Sequence, residues 1–195
     1  MLYYYPLTEL TPLAEELSKL NYQSDIFVKT DRDEIYEKKL DLPLKFTNAE
    51  FKTKVKSIIK KYIKLDNFQF SVIDTDHECN IHTDAAPGKP AHLQRYCNLA
   101  IPIEGDFTRR ITYWPTLNNA DSEFITKNYY LPKDKTLKYI TSENWNTSYR
   151  HTKYVPVLLN TEQPHGVVSE GYTLFVYITI PSLKIEQVRS LLQAL

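Results

Sequence analysis

Apolar residues follow two periodicities along this chain: helical near both ends, alternating through the middle. Thr11-Pro12 offers a cap and a first-turn proline, and Leu13, Leu17 and Leu20 then recur at i, i+4 and i+7, which predicts a helix. Thr47 and Glu50 have capping-box spacing ahead of Phe51, Val55, Ile58, Ile59 and Tyr62, which predicts a second. Its remaining positions carry Lys52, Lys54, Lys56, Lys60, Lys61 and Lys64. From about Ser182, Ile185, Val188, Leu191 or Leu192, and Leu195 outline a third. Between them the period shortens towards two, and strands are expected at 67–74, 78–82, 95–103, 109–114, 137–140, 154–159, 165–168 and 172–180. Pro87, Pro90, Pro115, Pro132 and Pro181 fall at or beyond the ends of these runs, as strand chemistry requires. No helix is expected between about 67 and 180.

Helices followed by many short strands predict an α+β fold, mainly β, as a sandwich or barrel packed on helices. The 195 residues suit one domain, with a helical region at 1–66, a β core at 67–180 and a closing helix at 181–195. A chain this long buries roughly 70% of the surface it exposes when unfolded, so it needs no disulfides. Fifteen tyrosines reinforce the β-rich reading, since Tyr is a strand former with an apolar body and a polar tip. Charge is balanced, 24 Lys+Arg against 24 Asp+Glu, which removes any whole-chain electrostatic case for a nucleic-acid or acidic-membrane partner. Cys79 and Cys97 are too few for a disulfide framework or a four-cysteine zinc site and are expected as buried free thiols. The opening MLYYYPLTEL has no basic n-region or long apolar stretch, and no apolar run approaches the roughly 20 residues that span a bilayer. A cytoplasmic location is therefore expected.

Two stretches carry chemistry. In Ile81-His82-Thr83-Asp84 a strand gives way to a loop, and residues at i and i+2 of a strand point to one side, so His82 and Asp84 can converge. An imidazole and a carboxylate are two of the three ligands of a 2-His-1-carboxylate metal site. About eighty residues on, Gln163-Pro164-His165-Gly166-Val167 sets a histidine in a turn directly before an apolar strand. Between them runs Arg95-Tyr96-Cys97-Asn98-Leu99-Ala100-Ile101-Pro102-Ile103-Glu104-Gly105, a core strand ending in a turn.

Taken in order, His82-x-Asp84, the Asn-Leu-Ala-Ile-Pro-Ile-Glu-Gly strand and Gln-Pro-His-Gly-Val resemble Fe(II)/2-oxoglutarate-dependent dioxygenases. The likeness is closest to small aspartyl/asparaginyl- and prolyl-hydroxylase-like members and covers roughly residues 67–180. It implies a double-stranded β-helix (a jelly roll, cupin-like) flanked by N-terminal helices and followed by a C-terminal helix. It also implies that His82, Asp84 and His165 bind iron, with 2-oxoglutarate as cosubstrate and O2 as oxidant, for hydroxylation of a C–H bond. Family members act on protein side chains, nucleobases, lipids and small metabolites, and nothing in this sequence selects among them.

The sequence departs from that pattern at one place. An arginine usually follows the distal histidine by about ten residues and pairs with the C5 carboxylate of 2-oxoglutarate. Here the stretch is Gly171-Tyr172-Thr173-Leu174-Phe175-Val176-Tyr177, with no basic residue. Arg95 is the first substitute, at the start of the strand after His-x-Asp. Arg109 and Arg110 come next, and strand alternation lets only one of that pair point inward. Tyr96, Asn98, Tyr113 and Thr173 could add hydrogen bonds to the cosubstrate.

Two other functions stay open: a jelly-roll metal protein that does not use 2-oxoglutarate, and a nucleic-acid-interacting protein using the lysine helix. Elsewhere His77 is expected in a hairpin turn and His92 and His151 in exposed loops. Trp114, Trp145, Tyr129 and Tyr130 fall where substrate-covering loops or core would lie, and the polar, aromatic segment 118–150 is expected to form a lid.

Overall fold

Strand β4 (Cys97–Gly105) is the apolar centre of the protein, buried along its first seven residues. A computed structural model describes residues 1–22, 49–65, 68–75, 79–85 and 94–193. In it β4 pairs antiparallel with β7 (Val157–Asn160) on one side and β9 (Thr173–Thr179) on the other. β1 (Tyr4–Pro6) and β2 (Gln69–Thr75) add the two edges, giving the order β1-β7-β4-β9-β2. A second antiparallel sheet contains β3 (Cys79–His82), β8 (His165–Val168), β5 (Ile111–Pro115) and β6 (Trp145–Arg150), in that order.

Alternation sorts the side chains of the five-stranded sheet into two layers. Leu99, Ile101, Ile103, Leu158, Leu174, Val176 and Ile178 face helices α1 (Thr11–Ser18), α2 (Ala49–Tyr62) and the closing helix. Ala100, Val157, Leu159 and Phe175 face the second sheet, where they meet Trp114 and Phe107. On the far side of that sheet Ile81 and Tyr113 pack with Ile125, Leu131 and Tyr139.

The α+β arrangement is as expected, but the double-stranded β-helix is not. The sheets are open layers rather than one closed or curled barrel: among the described residues no strand pairing joins them, and each ends in edge strands. Alternating apolarity records that a strand is buried on one or both faces. It does not record whether the sheet closes on itself.

The segment expected to be a lid carries regular structure, with Asp121, Ile125, Leu131, Thr136 and Tyr139 buried and most of its other residues exposed or half-buried. It holds α3 (Asn119–Asn128), whose cap residue Asn118 accepts a hydrogen bond from the Asp121 N–H at 2.9 Å. A single turn α4 (Lys133–Thr136) and strand β6 follow. The expected strand at 137–140 is instead a 3-10 turn, Leu137–Tyr139. α3 and β6 escaped prediction because their apolar positions are few: α3 buries Ile125, and Trp145 at the start of β6 stacks on Tyr113 at 4.9 Å. β1 escaped because it is three residues long.

The terminal helices form as expected, with small shifts. Thr11 is the first residue of α1 rather than its cap, the cap position being Leu10. The last helix, α5, spans Ile185–Gln193. Cys97 is a buried free thiol, and burial pushes its pKa up to about 12. Thr47, His77, His92 and Leu195 lie outside the described residues, as does the side chain of Cys79. No helix among the described residues is long and apolar enough to cross a membrane.

Candidate metal centre

His82 is the last residue of β3 and pairs in register with His165, the first residue of β8. Paired residues of an antiparallel ladder point to the same face. The two rings accordingly lie with centroids 4.4 Å apart. Asp84 follows by two residues and brings its Oδ1 to 3.6 Å from His82 Nε2. One ligand atom from each of His82, Asp84 and His165 lies within 4.8 Å of the others. Residues eighty positions apart therefore meet because a strand pair joins them.

The backbone around the cluster is tied on three sides. Thr83 donates its N–H to the carbonyl of Tyr129 at 2.8 Å and its hydroxyl to the carbonyls of Thr161 and Glu162. The Asp84 N–H also donates to the Thr161 carbonyl, at 3.0 Å. Thr161 in turn donates its N–H to the Tyr96 carbonyl and its hydroxyl to the Arg95 carbonyl. Tyr129 takes a left-handed conformation (φ 70°) at the end of α3, and the chain then runs alongside β3, with Leu131 N–H donating to the Ile81 carbonyl at 2.7 Å. Tyr129 and Tyr130 thus cover the outer edge of the ligand-bearing strand.

The donor set suits a divalent first-row metal. Nδ1 of His165 lies 3.0 Å from the Gln163 carbonyl, so it carries the proton and leaves Nε2 with a free lone pair. Burial lowers the His165 pKa to about 4, with His82 adding to the shift while Asp84 and the Gln163 carbonyl oppose it. A neutral imidazole is the form that binds a metal. Asp84 Oδ2 accepts a hydrogen bond from Asn98 Nδ2 at 2.7 Å, and the Thr179 hydroxyl donates to Asn98 Oδ1.

The other candidate side chains divide. Asn98 sits against Asp84 as just described. Arg95 and Tyr96 lie just before β4 and are stitched to the site through their carbonyls; the Tyr96 ring sits beneath Lys184 Nζ at 5.8 Å. Tyr113 faces the opposite side of its sheet from His165, since it pairs with Gly166. Arg109 is exposed and ion-paired with Glu170. Arg110 points inward: it is 2% exposed, and its guanidinium lies 5.3 Å from the centre of the Phe175 ring in the layer between the sheets.

Around Arg110 the structure gathers polar groups that the sequence reading did not find. His151, expected in an exposed loop, is 2% exposed, its Nε2 lying 2.8 Å from the Thr112 hydroxyl and its ring against Phe175. Burial, with Arg110 adding to it, lowers its pKa to about 3. Ser169 is buried one step beyond the last register pair of β5 and β8, at the level of Arg110. Nδ1 of His151 and the hydroxyl of Ser169 are buried with no hydrogen-bond partner among the described residues. Thr173, expected among the cosubstrate contacts, is buried at the opposite end of β9 from Thr179. His165, Val167 and Ser169 alternate onto one face of β8 and its continuation, so the His82–Asp84–His165 cluster and the Arg110 group lie about 13 Å apart along one wall.

No family model matches the chain, and no curated protein matches it. Among solved structures it is similar to AviO1 from Streptomyces viridochromogenes Tue57, with 9% identity and a TM-score of 0.37, over 92% of this chain and 90% of that one. It is also similar to apo HygX from Streptomyces hygroscopicus, with 10% identity and a TM-score of 0.38, over 90% of this chain and 79% of that one. A HygX structure with nickel, 2-oxoglutarate and hygromycin B bound gives 8% identity and a TM-score of 0.34, over 67% of this chain and 62% of that one. Likeness at this level assigns neither family nor chemistry, and the function must be read from the site itself.

Proposed function

We propose that this protein is a non-haem Fe(II)- and 2-oxoglutarate-dependent oxygenase that hydroxylates a C–H bond of its substrate. The observation that carries this reading is the meeting of His82, Asp84 and His165 within 4.8 Å at one end of the inter-sheet layer. Two imidazoles and one carboxylate on one side of an ion leave other coordination positions open, which is the arrangement non-haem Fe(II) oxygenases use. When bound, iron with 2-oxoglutarate and O2 supplies the oxidising power for the hydroxylation, with succinate and CO2 as coproducts.

The chain's own residues supply position and charge. His165 is kept neutral by burial and held in one tautomer by the Gln163 carbonyl. Arg110, rather than Arg95, is the cation for the distal carboxylate of 2-oxoglutarate. It is buried in the same layer as the metal cluster, and Ser169 and His151 offer unsatisfied polar atoms beside it. A carboxylate there would gain charge-assisted hydrogen bonds in a dry setting, where they are strong. Arg110 lies four strand positions along from the level of His165, a gap that a five-carbon diacid and an arginine side chain span together. Phe175 and Trp114 wall the layer with apolar surface that keeps water out.

The test is an anaerobic titration of Fe(II)-loaded protein with 2-oxoglutarate. Chelation of the metal by a 2-oxo acid gives a visible charge-transfer band, and admission of O2 should then release succinate. A protein that binds Fe(II) yet gives no band would be a metal protein that does not use 2-oxoglutarate.

A further inference from the structure

We propose that Asn98 is a positioning residue that commits Asp84 to one-oxygen metal binding, and that Thr179 sets the direction in which Asn98 acts. The inference rests on the metal-centre reading and adds to it residues outside the ligand set.

A carboxylate has two equivalent oxygens and can offer a metal one or both. Here the two are made different. Oδ1 faces His82 Nε2 at 3.6 Å, whereas Oδ2 accepts the Asn98 amide N–H at 2.7 Å. An oxygen held by a hydrogen bond this short does not swing round to the metal. Binding through both oxygens would occupy an additional coordination position, one that a chelating cosubstrate and O2 require.

The Asn98 amide could in principle turn over and present its oxygen to Asp84. Two features oppose that. The Thr179 hydroxyl donates to Oδ1, which anchors the oxygen end of the amide on the side away from Asp84. A flipped amide would also set its oxygen against an anionic oxygen at 2.7 Å. The carrier is rigid as well: Asn98 lies on β4 between β7 and β9, paired with both Leu159 and Thr179. Asn98 and Thr179 are both buried, so water does not compete freely for these bonds.

The test uses Co(II) alone as probe, with affinity from titration and ligand geometry from the visible ligand-field spectrum. Asn98→Ala should weaken Co(II) binding about 10- to 100-fold and change the spectrum. Asn98→Asp, the same size but anionic beside Asp84, should also change the spectrum. Thr179→Val should shift the spectrum in the same sense as Asn98→Ala, and Thr179→Ser should restore the wild-type spectrum. Wild-type affinity and spectrum in both Asn98→Ala and Thr179→Val overturn the proposal. Should Asn98→Ala fail to fold by circular dichroism, the Thr179 pair decides alone. Asp84→Ala separates the two levels: if it still binds Co(II) as wild type does, the metal-centre reading fails. If it loses Co(II) while the Asn98 and Thr179 variants are unchanged, only the positioning role fails.

Discussion

The imidazoles of His82 and His165 face each other across the last register pair of β3 and β8, with ring centroids 4.4 Å apart. Two imidazolium cations at that separation would repel strongly. The strand pairing therefore disfavours positive charge on both rings at once.

His82→Ala, Asp84→Ala and His165→Ala should each lose bound metal while keeping the fold. Metal content by elemental analysis, beside circular dichroism, checks this. Wild-type metal content in all three would refute the site.

Arg110→Met keeps length and apolar bulk but removes the charge, so it should weaken 2-oxoglutarate binding by roughly 100-fold, the worth of charge-assisted hydrogen bonds of about 1.5–3 kcal/mol. Metal affinity should stay unchanged. Arg109→Ala, at an exposed ion pair, should leave both constants alone. The charge-transfer titration reads all of them. A loss on Arg95→Ala with none on Arg110→Met would transfer the role to Arg95.

His151 makes stability depend on pH. Its pKa is about 6.5 in the unfolded chain and about 3 in the fold, where burial, aided by Arg110, disfavours the charged ring. Between those values the unfolded state binds a proton that the folded state refuses. Stability is thus complete above about pH 6.5 and falls as pH drops towards 3, by at most about 1.4 kcal/mol per pH unit. The groups around the ring are Arg110, the Thr112 hydroxyl, Tyr149 and Phe175. Metal-free His165, with its pKa also lowered by burial, adds a change of the same sign. Urea unfolding at pH 7.5 and pH 5 should therefore show a smaller loss for His151→Gln than for wild type. Equal losses would contradict the assignment.

Gly166 lies directly beneath Tyr113. A Cβ at Gly166 would sit 2.6 Å from both Cζ and the hydroxyl oxygen of that ring. Gly166→Ala should cost about 1–3 kcal/mol by overpacking. Adding Tyr113→Ala should make the pair cost less than the sum of the two single changes, a coupling that a double-mutant cycle measures.

Much of the secondary structure was legible because each signal is local. Leu13 and Leu17 share a face by helical period, and Leu174, Val176 and Ile178 by strand period, whatever lies opposite them. The convergence of His82 and Asp84 was legible for a similar reason, since they lie two residues apart at a strand end; joining His165 to them rested on the family resemblance.

What is local ends there. Whether the sheets close, which arginine turns inward and where His151 resides depend on partners distant in sequence. Arg109 and Arg110 are adjacent and chemically identical; only the Phe175 ring on one side and Glu170 on the other separate them. His151 sits among polar neighbours in the sequence but is buried against Phe175 and Thr112 in space, and Asn98 meets Asp84 across the two sheets. By itself the sequence determined the periodicities, the strand-end histidines and the donor chemistry, because these follow from backbone geometry and residue type. The tertiary structure alone decided closure, burial and the partner of each polar group, because those energies exist only once distant segments exclude water between them.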